Sequence, residues 1–223
     1  MQASQKLLQN QLKTMLKEPV EGFKVELCDD SDIYKWRCYI QGPPDTPYQG
    51  GIFQQKWSFQ SYPFEPPTLT FTSGFWHPNV ESNGKVCISI LHAPGEDEMS
   101  GERPEERWNP TQTPETILLS IISLLSDPNI FSPANVDAGV EYRDKREAFK
   151  VRVKKLIEKA NAALPSDFEM PKPKKIEVPS TPIDNGDYDF EIEEDDSYEE
   201  DVEEEEEDDL SGDDGEDEEA DDE

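Results

Sequence analysis

Residues 23–71 read FKVELCDDSDIYKWRCYIQGPPDTPYQGGIFQQKWSFQSYPFEPPTLTF, and within this stretch the apolar positions recur at even spacings. Val25 and Leu27, then Trp36, Cys38 and Ile40, then Phe53, Trp57 and Phe59, and finally Leu69 and Phe71 would each line one face of a strand. The segments between them are turn-formers: 29–32 with three aspartates, Gly42-Pro43-Pro44-Asp45, Gly50-Gly51, and Tyr62-Pro63-Phe64-Glu65-Pro66-Pro67. Connections this short favour four consecutive antiparallel strands, a meander. Cys28 and Cys38 fit that sheet as small apolar packing residues.

Outward from the sheet, the period lengthens. Residues 4–17 put Leu7, Leu8, Leu12, Met15 and Leu16 on one helical face, and Pro19 ends the helix. Downstream, Thr113 is a good N-cap with Pro114 at the first helical position, opening a helix that is apolar nearly all round and closes at Asp127-Pro128-Asn129. A last helix is expected over about 140–161, burying Phe149, Val153, Leu156, Ile157 and Ala160 and turning Lys145, Arg146, Lys150, Lys154, Lys155 and Lys159 outward. The fold class is α+β for residues 1–162. A Pro-rich linker follows over 163–182, and residues 183–223 form an acidic tail expected to be disordered, since its apolar content cannot offset the ordering entropy.

Charge separates the parts. The chain of 223 residues carries a net −31; residues 1–175 hold all 21 Lys and Arg and 24 acids, while 176–223 hold 28 acids and no base. A near-neutral domain thus precedes a polyanion. Three cysteines without a C-x-x-C pair argue against a disulfide framework or a zinc site and suit a reducing compartment. The N-terminus lacks an apolar signal core and no run approaches ~20 apolar residues, so a cytosolic or nuclear location is expected, with neither membrane nor nucleic acid as partner. No Gly-rich phosphate loop is present, so an ATP-driven step would fall to a partner, and no stably bound cofactor or metal is expected.

The chemistry concentrates in His77-Pro78-Asn79-Val80-Glu81-Ser82-Asn83-Gly84-Lys85-Val86-Cys87, which holds one of the two histidines and one of the three cysteines between turn signals. After Leu91 comes a stretch, 92–112, with almost no apolar periodicity but with Glu96, Asp97, Glu98, Glu102, Glu105 and Glu106; structureless loops of that length in compact domains are functional or disordered.

His77-Pro78-Asn79, seven residues, then Cys87 resembles the signature of the ubiquitin-conjugating enzymes. The N-terminal helix, the meander, Tyr62-Pro63-Phe64-Glu65-Pro66-Pro67, Trp108-Asn109-Pro110 and the Pro114 helix agree with that resemblance over about 4–162. It implies the family's fold, ubiquitin held as a thioester on Cys87, and transfer to a lysine of a substrate or growing chain; a thiol suits an acyl group that must be handed on. The acidic insertion after Cys87, Phe131-Ser132-Pro133-Ala134-Asn135-Val136-Asp137-Ala138 and the acidic tail look like the cell-division-cycle class, which works with cullin–RING (SCF) ligases to mark proteins for proteasomal degradation. ATP is then used by the activating enzyme.

The resemblance also distributes roles. Asn79 either donates to the oxyanion or holds its loop; His77 is a structural hydrogen-bonding residue; Ser89 lies close behind the cysteine. Ser132 stands where many members have an aspartate, and a hydroxyl cannot supply that charge. Asp97, Glu98 or neighbours on the acidic loop are the expected replacements, positioning the incoming lysine; the alternative is that the loop is only a solvated insertion. Phe64, Pro110 and Thr111 are expected to dock RING domains, and Lys6 and Lys13 the activating enzyme. The tail has three readings: a solubilising extension, an arm for a basic cullin surface, or a fold-back onto Lys145 to Lys159.

Rival readings remain in play on sequence alone. A cysteine hydrolase would pair Cys87 with His77 or His92, although no helix-borne nucleophile motif is present. An interaction scaffold, either a ubiquitin binder without turnover or an acidic chaperone, would not need Cys87. The modifier could also be a SUMO- or NEDD8-type relative of ubiquitin, with the acidic loop and tail favouring ubiquitin.

Overall fold

The computed structural model describes residues 2–72, 74–97 and 101–171. Its elements are helix α1 (Gln2–Lys17), strands β1 (Phe23–Leu27), β2 (Lys35–Gln41), β3 (Ile52–Ser58) and β4 (Thr68–Phe71), then helices α2 (Pro114–Ser126), α3 (Val136–Asp144) and α4 (Arg146–Ala162). Short 3-10 turns lie at Ser89–Leu91 and Pro104–Glu106. The strands form one antiparallel sheet in the order β1-β2-β3-β4, the meander its turn-formers predict.

Register follows the alternation. Val25 lies opposite Cys38, Cys38 opposite Gln55, and Gln55 opposite Phe71, so the even-spaced apolar set faces one side. There it meets α2, whose Ile117, Leu118 and Ile121 are completely buried, each burial stabilising by roughly 1.5–3 kcal/mol. The Thr113 hydroxyl caps α2 by accepting from the Thr116 N–H at 3.3 Å, and the Thr116 hydroxyl accepts from the Thr113 N–H at 3.0 Å. Leu16 departs from its expected face: it is 58% exposed at the end of α1.

The expected helix over 140–161 is two helices. Lys145 leaves helical geometry at φ −135° and ψ 53°, and the chain turns between α3 and α4. The break lets Ala138 and Phe149 both enter the core, with Tyr142 packed edge-on to Phe149 and the Arg146 guanidinium 3.7 Å above the Tyr142 ring. Asn135, the α3 N-cap, accepts from the Ala138 N–H. All six predicted lysine and arginine positions of this region are exposed. Asn161 ties α4 to the sheet, accepting from Ile52 N–H and donating to Gly50 C=O, each at 2.9 Å.

Within the stretch assigned to the linker by composition, Phe168 packs on the outer face of the sheet, on Tyr39 at 4.6 Å between ring centroids, while residues 165–167 are exposed. The rest of the linker and the acidic tail lie outside the described residues, so their predicted disorder is not addressed by this fold. No described helix is long and apolar enough to cross a membrane.

Candidate active site

The stretch 77–87 folds against β4. Phe71 N–H donates to Gly84 C=O and Val86 N–H to Leu69 C=O, both at 2.9 Å. Gly84 is required twice over: its φ is +93°, and a Cβ there would sit 2.3 Å from the Phe71 carbonyl oxygen. Asn83 Oδ1 accepts from Lys85 N–H at 2.8 Å and tightens the same turn. Cys87 emerges at the end of this turn, half-buried, its N–H bound to Asn79 C=O at 2.9 Å.

His77 is completely buried and its ring is fully engaged. Nδ1 accepts from Asn79 N–H at 2.9 Å, so Nε2 carries the proton and donates to Leu124 C=O at 3.0 Å. Burial lowers its pKa to about 4, keeping it neutral. It pins the approach to Cys87 onto the end of α2.

Asn79 uses both ends of its amide on the segment after α2. Its Oδ1 accepts from Asn129 N–H at 2.8 Å, and Nδ2 donates to Asn129 C=O at 2.9 Å and to Ser132 C=O at 3.4 Å. Asn129 Oδ1 in turn accepts from Phe131 and Ser132 N–H. In this conformation Asn79 holds the 129–132 loop beside Cys87. Ser132 is exposed and meets Asn79 through its backbone carbonyl.

The described residues of the acidic stretch beyond Cys87, 92–97 and 101–112, make defined contacts despite the lack of pattern in the sequence. Arg107 organises it: its side chain, 10% exposed, donates from Nε to Ala93 C=O at 2.8 Å and from Nη1 to Asp97 at 3.2 Å, with Glu102 at 3.9 Å. Trp108 N–H closes the loop onto His92 C=O at 3.1 Å. The loop therefore returns on itself and brings His92 back over the cysteine. His92 Nε2 is 3.3 Å from Cys87 Sγ, and His92 Nδ1 is 2.9 and 2.8 Å from the two Glu102 carboxylate oxygens. In the neutral ring a carboxylate at Nδ1 keeps the proton there, and Nε2 then presents its lone pair to the sulfur.

The acid beside the site comes from the same acidic loop, at one of the neighbouring positions. Asp97 is turned to Arg107, Glu98 lies outside the described residues, and the carboxylate brought next to the site is Glu102. Ser89 contributes its backbone, accepting from His92 N–H at 2.9 Å within the 3-10 turn. The sequence offers His92 only for a hydrolase and Glu102 only as one of several loop acids, and it gives no role to Arg107. The available signal was a second histidine five residues after Cys87, followed by carboxylates and by an arginine beside Trp108.

A Cys–His–Glu row invites comparison with cysteine hydrolases, whose thiol is held as a thiolate. Here burial pushes the Cys87 thiol above its ordinary value, and the charges of Glu81 and Glu102 push the same way against Lys85. Such a sulfur is a poor standing nucleophile and a serviceable carrier. The cleft beside it is narrow, about 110 Å³, bordered by Pro66, Leu69, Glu81, Lys85 and His92.

The predicted docking residues gather elsewhere. Phe64 is 76% exposed, and Pro110 and Thr111 are exposed on the neighbouring loop. Trp108 Nε1 donates to Pro63 C=O at 2.9 Å, and the Tyr62 hydroxyl donates to Gln112 C=O at 3.0 Å, bracing the two loops together. Ser4 Oγ donates to Tyr62 C=O, setting the start of α1, with exposed Lys6 and Lys13, against the same platform. Among the described residues no group of three or more His, Cys, Asp or Glu side chains is arranged to hold a metal.

Comparison with known proteins agrees with this geometry. Residues 7–157 match the family model described as ubiquitin-conjugating enzyme. The chain is 54% identical over 155 residues to ubiquitin-conjugating enzyme E2 7 of Arabidopsis thaliana, covering 69% of this chain and 93% of that protein. It is 52% identical over 159 residues to ubiquitin-conjugating enzyme E2 15 of Schizosaccharomyces pombe, covering 71% and 95% respectively. The solved structure of human ubiquitin-conjugating enzyme E2 G1 superposes with a TM-score of 0.50 at 50% identity, over 56% of this chain and 96% of that one. With the fold, the buried His77 turn and the half-buried Cys87 in place, the chain belongs to the ubiquitin-conjugating enzyme family, a family of transferases.

Proposed function

We propose that Cys87 accepts the C-terminus of ubiquitin from the activating enzyme as a thioester and passes it to a lysine, and that His92 and Glu102 serve the second step. The observation that carries this reading is the 3.3 Å approach of His92 Nε2 to Cys87 Sγ, with Glu102 on the far side of the ring. In transfer, the lysine amine attacks the thioester carbonyl, a C–N bond forms, and the C–S bond breaks. The amine proton passes to His92 Nε2, the imidazolium is stabilised by Glu102, and the sulfur leaves and is reprotonated. Asn79 acts by keeping the 129–132 loop in position beside the reacting carbonyl. ATP is consumed by the activating enzyme, and the chain needs no cofactor of its own.

A cullin–RING ligase is the partner that best suits the charge distribution. Phe64, Pro110 and Thr111 supply an exposed anchor on a braced platform for the RING. The 28 acids of 176–223 would find a basic cullin surface and raise the association rate in a salt-dependent way. Transfer in the cytosol or nucleus to ligase-bound substrates, leading to their degradation, completes this reading.

The test is a charging assay with purified chain, activating enzyme, ubiquitin and ATP. A reductant-sensitive adduct one ubiquitin heavier, absent in Cys87→Ala, is expected; its absence sinks the carrier function. A chain ending at 175 should charge normally and lose ligase-stimulated transfer. Unchanged stimulation would remove the tail from ligase recruitment.

A further inference from the structure

The outer face of the sheet carries a row formed by Lys24, Tyr39 and Gln54 across β1, β2 and β3. Outward positions of a solvent-facing sheet are normally open, yet Tyr39 is only 4% exposed. What covers it is the chain just past α4. Phe168 lies on the Tyr39 ring at 4.6 Å and 55°, and Lys24 Nζ sits 4.5 Å from the Phe168 ring centroid. The turn that presents Phe168 is closed by its N–H on Pro165 C=O at 3.1 Å. Two residues on, Met170 reaches a cavity of about 490 Å³ between α1 and β1, walled by Met15, Leu16, Val20 and Phe23. The segment at 167–170 reads Asp-Phe-Glu-Met: an aromatic anchor between two acids, then an apolar residue.

That pattern occurs twice. Of the ten phenylalanines in the chain, only Phe168 and Phe190 lie beyond α4, and 189–192 reads Asp-Phe-Glu-Ile. Each is an acid-flanked phenylalanine followed at the same distance by a large apolar side chain, the features the sheet face engages through Lys24, Tyr39 and the cavity. We propose that this face is a docking site for the Asp-Phe-Glu-apolar motif, held by the copy at 167–170 and exchangeable for the copy at 189–192. The chemistry is anchor-and-clamp: a phenyl ring on a tyrosine under an ammonium group, with acids favoured by the lysine. The 18 residues between the copies would span about 25 Å as a flexible chain, enough to return to the same face, and tethering would supply an effective concentration in about the millimolar range. Exchange would move the acidic tail's point of attachment from residue 170 to residue 192 without breaking a covalent bond.

The test does not depend on ubiquitin transfer. Backbone amides of the full-length chain carrying Phe168→Ala and Phe190→Ala, which leaves the face open, are followed by NMR while a peptide of residues 186–194 is added. Saturable shifts at Lys24, Glu26, Arg37 and Tyr39 are expected, and the same peptide with Phe190→Ala, equal in charge, should leave them unmoved. Against the wild-type chain the peptide should bind about tenfold more weakly, and at saturation the Phe168 amide should move with the sheet residues. The wild-type titration also stands if the double variant does not fold. Shifts confined to the basic residues of α4, binding that survives loss of the peptide's phenylalanine, or no binding would overturn the proposal.

Discussion

His92 Nε2 stands 3.3 Å from Cys87 Sγ while Glu102 holds the opposite nitrogen at 2.8 Å. Burial and the charges of Glu81 and Glu102 raise the pKa of the free thiol, and the role proposed for the pair is to take the proton of the attacking lysine in the second step. Charging and discharge should therefore separate. His92→Ala is expected to form the thioester at a rate within about twofold of wild type and to lose about 10²-fold in discharge to free lysine, the usual worth of a positioned general base. Glu102→Gln keeps a hydrogen-bond acceptor and removes the charge, so it should show a smaller loss. Single-turnover discharge measured across pH decides it: equal losses in charging and discharge would mean that the two side chains only shape the cleft.

Arg107 should behave as a positioning residue for the same step. It touches Ala93, Asp97 and Glu102 from one buried guanidinium, and nothing as short as an ammonium can span those three acceptors. Arg107→Lys is expected to slow discharge about as much as Glu102→Gln while charging persists. Amide exchange should quicken over 92–97 and 101–106, including the His92 amide on Ser89 C=O. Slow discharge with unchanged exchange would show that the arginine acts by charge and not by holding the loop.

The sheet was legible because a period of two survives any loop length: Cys38 had to face Gln55 and Val25 once the strands paired as a meander. The α2 helix announced itself through Thr113 and Pro114. The break at Lys145 had no such marker, since neither proline nor glycine stands there; it exists to let Ala138 and Phe149 reach one core from two directions. The site was half legible. Cys87, His77 and Asn79 lie in one short stretch, but which acid meets His92 depends on a buried arginine ten residues beyond Asp97. Local sequence does not separate Asp97 and Glu98 from Glu102; Arg107 meets both Asp97 and Glu102, and only the fold shows that Glu102 reaches His92 Nδ1.

Asn79 can be separated into its acceptor and donor roles. Asn79→Asp keeps an oxygen for the Asn129 N–H but turns the donor that served Asn129 and Ser132 carbonyls into a second acceptor. Repulsion between oxygens should free the 129–132 loop, cost about 1–3 kcal/mol in urea denaturation, and slow discharge together with it. A variant with native stability and native amide exchange at Phe131 and Ser132, yet with slow discharge, would give Asn79 a direct part in the chemistry.

His77 predicts how stability depends on pH. Its pKa falls from 6.5 to about 4 on folding because burial penalises the charged ring, with the bond to Leu124 C=O opposing the shift. Between those values the unfolded chain binds more protons than the folded one, so stability is full above pH 6.5 and declines as pH falls towards 4. The slope within that window should approach about 1.4 kcal/mol per pH unit, summing to about 3 kcal/mol. Below pH 4 both states are protonated and the loss from this group stops growing. Urea midpoints at pH 7, 6 and 5 for wild type and for His77→Gln test it: the variant should start less stable, since one glutamine amide cannot bridge Asn79 and Leu124 as the ring does, yet lose less between pH 7 and 5. Parallel declines in the two proteins would place the acid sensitivity elsewhere, in the carboxylates and not in this turn.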